Sequence, residues 1–254
     1  MGTLEQGGNA QEYWNARART FPRYEGGTDN YEARMLRMIK DNGVTLHGKS
    51  ILDVGCGSGM YTIRLAQEAQ SVMAVDISDA MLDILAQDAA AMQLTNITCV
   101  RSGWDAFESS ERFDVVFASM TPAVNDDHTR EKLLSYSNGW VVFMGFTERM
   151  ASDVMGPLYA RYAVTPKVFN NAQTMRQWLD ERGIRYTTIP VKGQWVVEKN
   201  AEEMLDACLT TLQQYGVTPD PAEVSKHLIA FRNDAGTYVE RTDYAVEILL
   251  WQKS

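Results

Sequence analysis

Apolar positions along this chain follow two alternating rhythms. From residue 50 onward, short apolar runs ending at glycine or a polar turn give way to longer stretches with apolar residues three and four positions apart. That pattern belongs to strands and helices alternating on a parallel sheet. Ser50-Ile51-Leu52-Asp53-Val54 reads as a buried strand stopped by glycine, and a helix from Ser58 would place Met60, Ile63 and Ala66 on one side. A second strand covers 71–76. A helix capped by Ser78 or Asp79 then runs to Met92 with Met81, Leu82, Leu85 and Ala89 inward. Further strands are predicted at 97–101, 113–118 and 140–144, the last following a helix over about 127–137.

Beyond Gly145 the rhythm weakens. Residues 147–169 have no strong period; a helix spans 171–181 before Gly183; a strand lies within 186–197; helices cover 201–215 and 222–231; a terminal strand covers 244–251. The predicted fold is α/β: a doubly wound, mostly parallel seven-stranded sheet with an antiparallel last strand and helical additions at both ends. Residues 1–49 form a cap, 50–146 the core, and 147–254 complete the sheet with a helical insertion near 200–235. The cap and the insertion are candidate lids on what reads as a single domain.

Composition narrows the setting. With 254 residues, 45% hydrophobic and 22% charged, the chain can bury a substantial core. It has no run of about 18 uncharged apolar residues, and the segment 1–10 lacks a basic stretch followed by an apolar one. The expectation is a soluble, cytoplasmic protein with no membrane partner. Cys56, Cys99 and Cys208 are far apart without CxxC pairing, so free thiols are expected and no metal site. A net charge of −9 opposes polyanions, which disfavours nucleic acid as a partner.

Candidate chemistry lies where an open α/β sheet binds ligands, beyond the carboxyl ends of its strands. The loop after the first strand reads Gly55-x-Gly57-x-Gly59 and leads into a helix, so backbone N–H groups face whatever lies there. A dinucleotide fingerprint would need a later third glycine, at the position held by Met60. Asp53 just before the loop and that early third glycine argue against NAD, while Asp76 ends the second strand 19 residues past Gly57. A carboxylate at Asp76 suits the two hydroxyls of a ribose without a 2′-phosphate.

These segments resemble motifs of the class I S-adenosylmethionine-dependent methyltransferases: D-V-G-C-G-S-G at the first loop, V-D-I-S ending the second strand and F-D-V-V-F-A-S in the fourth. The resemblance covers about residues 49–145. It implies S-adenosyl-L-methionine as cofactor, with the glycine loop on its methionyl part and Asp76 on its ribose. The cofactor set it implies is Asp53, Gly55, Cys56, Gly57, Gly59, Asp76, Ile77, Met81, Trp104, Asp105 and Ser119. Where the family commonly has a Gly-Asp pair after the third strand, this chain has Gly103-Trp104-Asp105. Either Asp105 bonds the adenine or Trp104 covers it; core packing is the plain alternative for Trp104.

The acceptor is less legible. The loop 119–128 would sit beside the transferred methyl, and it lacks the Asn/Asp-Pro-Pro-aromatic pattern of enzymes that methylate base amines or glutamine amides. Its Asp126, Asp127 and His128 could form an acid–base cluster, although helix capping accounts for the same residues. Tyr13, Trp14, Arg17, Tyr24 and Thr121 are candidate acceptor contacts. The aromatics suit a sulfonium and arginine suits a carboxylate or phosphate, while an amphipathic helix packing Trp14 and Phe21 explains the segment equally well. His128, Tyr13 and Glu25 are candidate bases, none singled out by spacing. The expected function is in-line methyl transfer to a small molecule. The alternatives are a methyltransferase for RNA or protein, a non-catalytic protein that binds the cofactor, or an enzyme using it for another reaction.

Overall fold

The computed structural model describes residues 8–166, 168 and 171–253, with only the backbone at Gly8 and Asn9. Residues 1–7 of the predicted cap lie outside the described residues. In chain order the elements begin with α1 (Gly8–Ala18), α2 (Tyr31–Asp41), β1 (Ser50–Val54), α3 (Thr62–Ala66), β2 (Ser71–Asp76), α4 (Asp79–Ala91) and β3 (Ile97–Arg101). They continue with β4 (Phe113–Ser119), α5 (Asp127–Tyr136), β5 (Ser137–Phe146), β6 (Ala151–Ser152), α6 (Met155–Arg161) and α7 (Asn171–Glu181). The remainder are β7 (Thr187–Lys199), α8 (Ala201–Gln213), α9 (Pro221–Leu228), a 3-10 turn (Ile229–Phe231) and β8 (Tyr238–Gln252). The strands are ordered β3-β2-β1-β4-β5-β8-β6, with β7 also pairing β8. Thus the sheet is mostly parallel with antiparallel C-terminal strands, the α/β architecture the sequence predicts.

The chain divides into two compact units: Met1–Gly145 with Asn171–Ile189 and Ile248–Ser254, and Phe146–Asn170 with Pro190–Glu247. In the first, β1 is central, parallel to β2 on one side and β4 on the other. Having neighbours on both edges and helices above and below explains why Ile51 to Val54 are all buried and why the strand reads as one apolar run. Leu52, Val54, Val75, Val116, Ala118, Val141 and Phe143 pack with Met175, Trp178 and Leu179 of α7 in one core. On α4, Ser78 caps the Met81 amide, and Met81, Leu82, Leu85 and Ala89 are the buried face, as their spacing requires.

The second unit has its own core of Val154, Met155, Leu158, Met204, Cys208, Leu212, Val224 and Leu228. It contains the helices predicted near 200–235, with Asn200 and Glu203 forming a capping box on α8 and Asp220 capping α9 ahead of Pro221.

Four elements depart from the expectation, the first being α6, which forms inside the stretch 147–169 that shows no strong period. The eighth strand, β6, has two residues, Ala151 and Ser152, pairing antiparallel with Asp243 and Thr242; so short a strand carries no period. Strand β8 begins at Tyr238, because its first half carries charged residues that show no apolar alternation. The helix expected from Ser58 starts only at Thr62, since Gly59 holds φ +88°, a left-handed value no right-handed helix contains.

Candidate active site

The glycine loop is built by backbone that turns the wrong way for side chains. Gly55, Gly57 and Gly59 have φ of +67°, +54° and +88°. The amides of Gly55 and Cys56 both donate to the Val75 carbonyl, at 2.8 and 3.1 Å, tying the turn to the end of β2. A Cβ on Gly59 would lie 2.3 Å from Leu85 Cδ1, and one on Gly55 would lie 2.1 Å from Thr121 Oγ1. The loop is therefore clamped between α4 and the segment following β4.

Two carboxylates face this loop. Asp53 is 3% exposed and accepts a hydrogen bond from the Thr62 hydroxyl at 2.6 Å. Burial pushes its carboxyl up to about 7, against the Thr62 hydrogen bond, and Asp76 adds to the rise. Asp76 accepts from the Gly57 amide and from the Ser78 amide, each at 2.9 Å. Its carboxyl is also raised by burial, which those backbone donors oppose. Among the described residues no cation forms an ion pair with either group. Two buried carboxyls without a cationic partner suit a cationic ligand carrying hydroxyls, whose charge would favour their ionised forms. Cys56 lies between them, its thiol driven up by burial and by both carboxylates, and so held as an unreactive SH.

The adenine-side candidates separate. Asp105 folds back over Gly103, with Oδ1 2.7 Å from where a Gly103 Cβ would stand and Ile77 Cδ1 at 3.8 Å from that point. Trp104 instead turns into the core: it is 3% exposed, its Nε1 donates to the Thr129 carbonyl at 2.9 Å, and it stacks on Phe107. Met81 is also fully inside, on the buried face of α4. Ser119 ends β4 beside Met144.

The cap supplies a strap over the loop. Asn15 on α1 accepts from the Ser78 hydroxyl at 2.6 Å and the Ala80 amide at 3.3 Å, and Gln11 reaches Asp79. The Phe21 ring comes 3.6 Å from a Gly57 Cβ position, the Ser58 hydroxyl donates to the Pro22 carbonyl at 2.6 Å, and Arg23 pairs with Asp88. Tyr13, Trp14 and Phe21 form an edge-to-face aromatic series, while Arg17 is exposed. Tyr24 lies under the Arg64 guanidinium, 5.2 Å from its ring centroid. Arg64 donates to the carbonyls of Glu25 and Gly27, at 2.6 and 2.9 Å, and so latches α3 to the strap. Arg64→Ala is expected to lower the free energy of strap opening by about 2–3 kcal/mol. Trypsin cleavage at Arg19 or Arg23 should then quicken by roughly 30-fold or more; cleavage at the wild-type rate would show that the latch contributes nothing.

His128 falls elsewhere. It lines a depression of about 330 Å³ with Phe107, Glu131, Lys132, Ser135 and Tyr136. Its neighbour Asp126 caps α5 through Thr129, which holds that carboxyl below its usual range. Among the described residues no cluster of histidine, cysteine and carboxylate side chains could hold a metal. Sequence reasoning missed Asn15, Ser58, Tyr61, Thr62 and Arg64. No local signal marked the last three, since Tyr61, Thr62 and Arg64 are interspersed with Met60, Ile63 and Leu65 as in an ordinary helix.

Comparison with known proteins agrees with this geometry. A family profile described as a methyltransferase domain matches residues 51–138. The chain is 24% identical over 220 residues to the ubiquinone biosynthesis O-methyltransferase of Coxiella burnetii, covering 79% of this chain and 91% of that one. Over 92 residues, 36% of this chain, it is 36% identical to the magnesium-protoporphyrin O-methyltransferase of Rhodobacter capsulatus. The relatives matched at 36% identity are covered over only 40% and 39% of their own length. The crystal structure of magnesium protoporphyrin IX methyltransferase from Synechocystis PCC 6803 with bound SAH shares the fold, with a TM-score of 0.54 at 16% identity over 96% of this chain and 98% of that one. Glycine loop, acidic pair, sheet order and family profile together identify residues 51–138 as a methyltransferase domain of the class I S-adenosylmethionine-dependent kind.

Proposed function

We propose that this protein transfers a methyl group to an oxygen atom of a small molecule. The observation that carries the reading is the strap: α1 and the segment after it close over the glycine loop through Asn15, Phe21, Pro22 and Arg64. A cofactor held beneath such a cover suits an acceptor small enough to be enclosed with it. The net charge of −9 works against a polyanionic acceptor, and two relatives carry O-methyltransferase names. Free Cys56, Cys99 and Cys208 are the cysteine usage of a reducing compartment and support a cytoplasmic setting.

S-adenosylmethionine supplies a methyl on a sulfonium, a good leaving group. The chain's part is therefore alignment and exclusion of water, which in well-oriented systems supplies roughly 7–11 kcal/mol. In this reading Asp76 holds the ribose hydroxyls, Asp105 and Ile77 border the adenine, and Asp53 offsets the cofactor's positive charge. Tyr13, Trp14 and Phe21 present aromatic faces from the strap. The acceptor oxygen gains the methyl and loses its proton to solvent or a nearby base.

Tritiated S-adenosylmethionine incubated with the protein and with separate fractions of phenols and carboxylic acids, RNA, and proteins tests this. Label is expected in the small-molecule fraction, stable to mild base for an ether and released for an ester. Label confined to RNA or protein would overturn the proposal.

A further inference from the structure

One polar atom beside the site has no use in the fold. Tyr61 follows the glycine loop, is 9% exposed, and packs its ring against Phe117 of β4 at a centroid distance of 5.2 Å. Its hydroxyl is buried and meets no partner at full hydrogen-bond geometry among the described residues, the Ser119 side chain lying only near enough to act as a weak one. Around that oxygen stand Ser119 at the end of β4, Tyr31 and Glu32 at the start of α2, and the guanidinium of Arg64. Tyr31 in turn reaches Met144, the β5 partner of Ser119. The hydroxyl therefore stands at the carboxyl ends of β4 and β5, where the next turn places Met120 at φ +50° and Thr121 in the space a Gly55 side chain would need. Phenylalanine would fill the same space at no polar cost, whereas a buried orphan hydroxyl destabilises the protein that keeps it.

We propose that the Tyr61 hydroxyl is the hydrogen-bond donor that holds the acceptor's methyl-receiving oxygen at the end of β4. This rests on the reading of an oxygen acceptor given above. Burial, Tyr31 and Glu32 all push the phenol well above its ordinary value, so it stays protonated and donates throughout the neutral range. A donor aimed at a phenol or carboxylic acid stabilises its anion, so that more of the acceptor is ionised and nucleophilic near neutrality. No bond to Tyr61 forms or breaks; the methyl passes from sulfur to the acceptor oxygen, whose proton leaves separately.

The test compares wild type with Tyr61→Phe in three measurements. The melting temperature without ligands should be equal or higher in the variant, because the orphan hydroxyl is gone. Calorimetric affinity for S-adenosylmethionine should stay within about twofold. With a catechol acceptor and tritiated cofactor, kcat/KM should fall roughly 10- to 100-fold, the loss of one hydrogen bond to a charged partner, and the alkaline-rising limb of its pH profile should move to higher pH. A lower melting temperature would mean the hydroxyl is satisfied within the fold, and weakened cofactor binding with unchanged kcat/KM at saturation would mean it serves the cofactor; either overturns the proposal. Should wild type label only RNA or protein, the small-molecule reading fails, and the same comparison on that fraction decides Tyr61 independently. A variant as fast as wild type there, or no labelling of any fraction, overturns it.

Discussion

Gly55→Ala is expected to lower the stability of this protein by about 2–5 kcal/mol, the sum of two separable effects. An L-residue held at a left-handed φ costs roughly 1–2 kcal/mol, and Gly55 sits at +67°. The added methyl also meets the Thr121 side chain at 2.1, 2.7 and 3.4 Å, which forces a shift costing typically 1–3 kcal/mol. Against a total stability of about 5–15 kcal/mol this is a large loss, visible as a fall of roughly 10 °C in the melting temperature. Thr121→Gly in the same chain removes all three contacting atoms and should return the steric part while leaving the conformational part. A double-mutant cycle by thermal denaturation separates them. Additive single-mutant costs would show that the loop does not press on Thr121.

Ligand-free stability should fall as pH rises from about 4 to about 7 and level off above, with Asp53 as the chief cause. Its carboxyl titrates near 3.8 in the unfolded chain and at about 7 in the folded one. Between those values the folded state binds the extra proton, so the slope of stability against pH is negative, at most about 1.4 kcal/mol per unit. The full span corresponds to about 4 kcal/mol, an upper bound because the neighbouring Asp76 rises with it. Asp53→Asn should flatten the curve by removing the titration. In the proposed role a cationic cofactor favours the ionised carboxylate, so S-adenosylmethionine should bind more tightly, and stabilise more, at pH 8 than at pH 5. Melting curves of both proteins across this range, with and without cofactor, check the sign; a flat wild-type curve, or an equally steep curve for the Asp53→Asn variant, would remove Asp53 as the cause.

The core was the most legible part of this molecule. Strands β1 and β4 are buried on both faces and read as short apolar runs, and the inner face of α4 follows directly from its spacing. The loop glycines were legible too, since each stands where its backbone demands φ above zero. What escaped were side chains whose partners the fold chooses: Asp53 meets Thr62 across the loop, and Arg64 reaches carbonyls 37 and 39 residues earlier. Trp104 looked equally suited to covering a base or filling a core; the Thr129 carbonyl, 25 residues on, shows how its indole N–H is satisfied inside. The short α3 was hidden because the loop's left-handed residues, not its apolar spacing, decide where the helix begins.

The strap's closure has a kinetic side. The bonds that fasten it join residues 36 to 68 positions apart, so they form only after α3 and α4 exist to receive them. Each long closure carries an entropic cost that few packed apolar contacts of the strap itself repay. Among the elements around the glycine loop, this one therefore assembles last and detaches first. The backbone amides of residues 20–29 would exchange with solvent well ahead of those in β1, and in the proposed function the rate of that local detachment would set how fast cofactor and acceptor enter or leave.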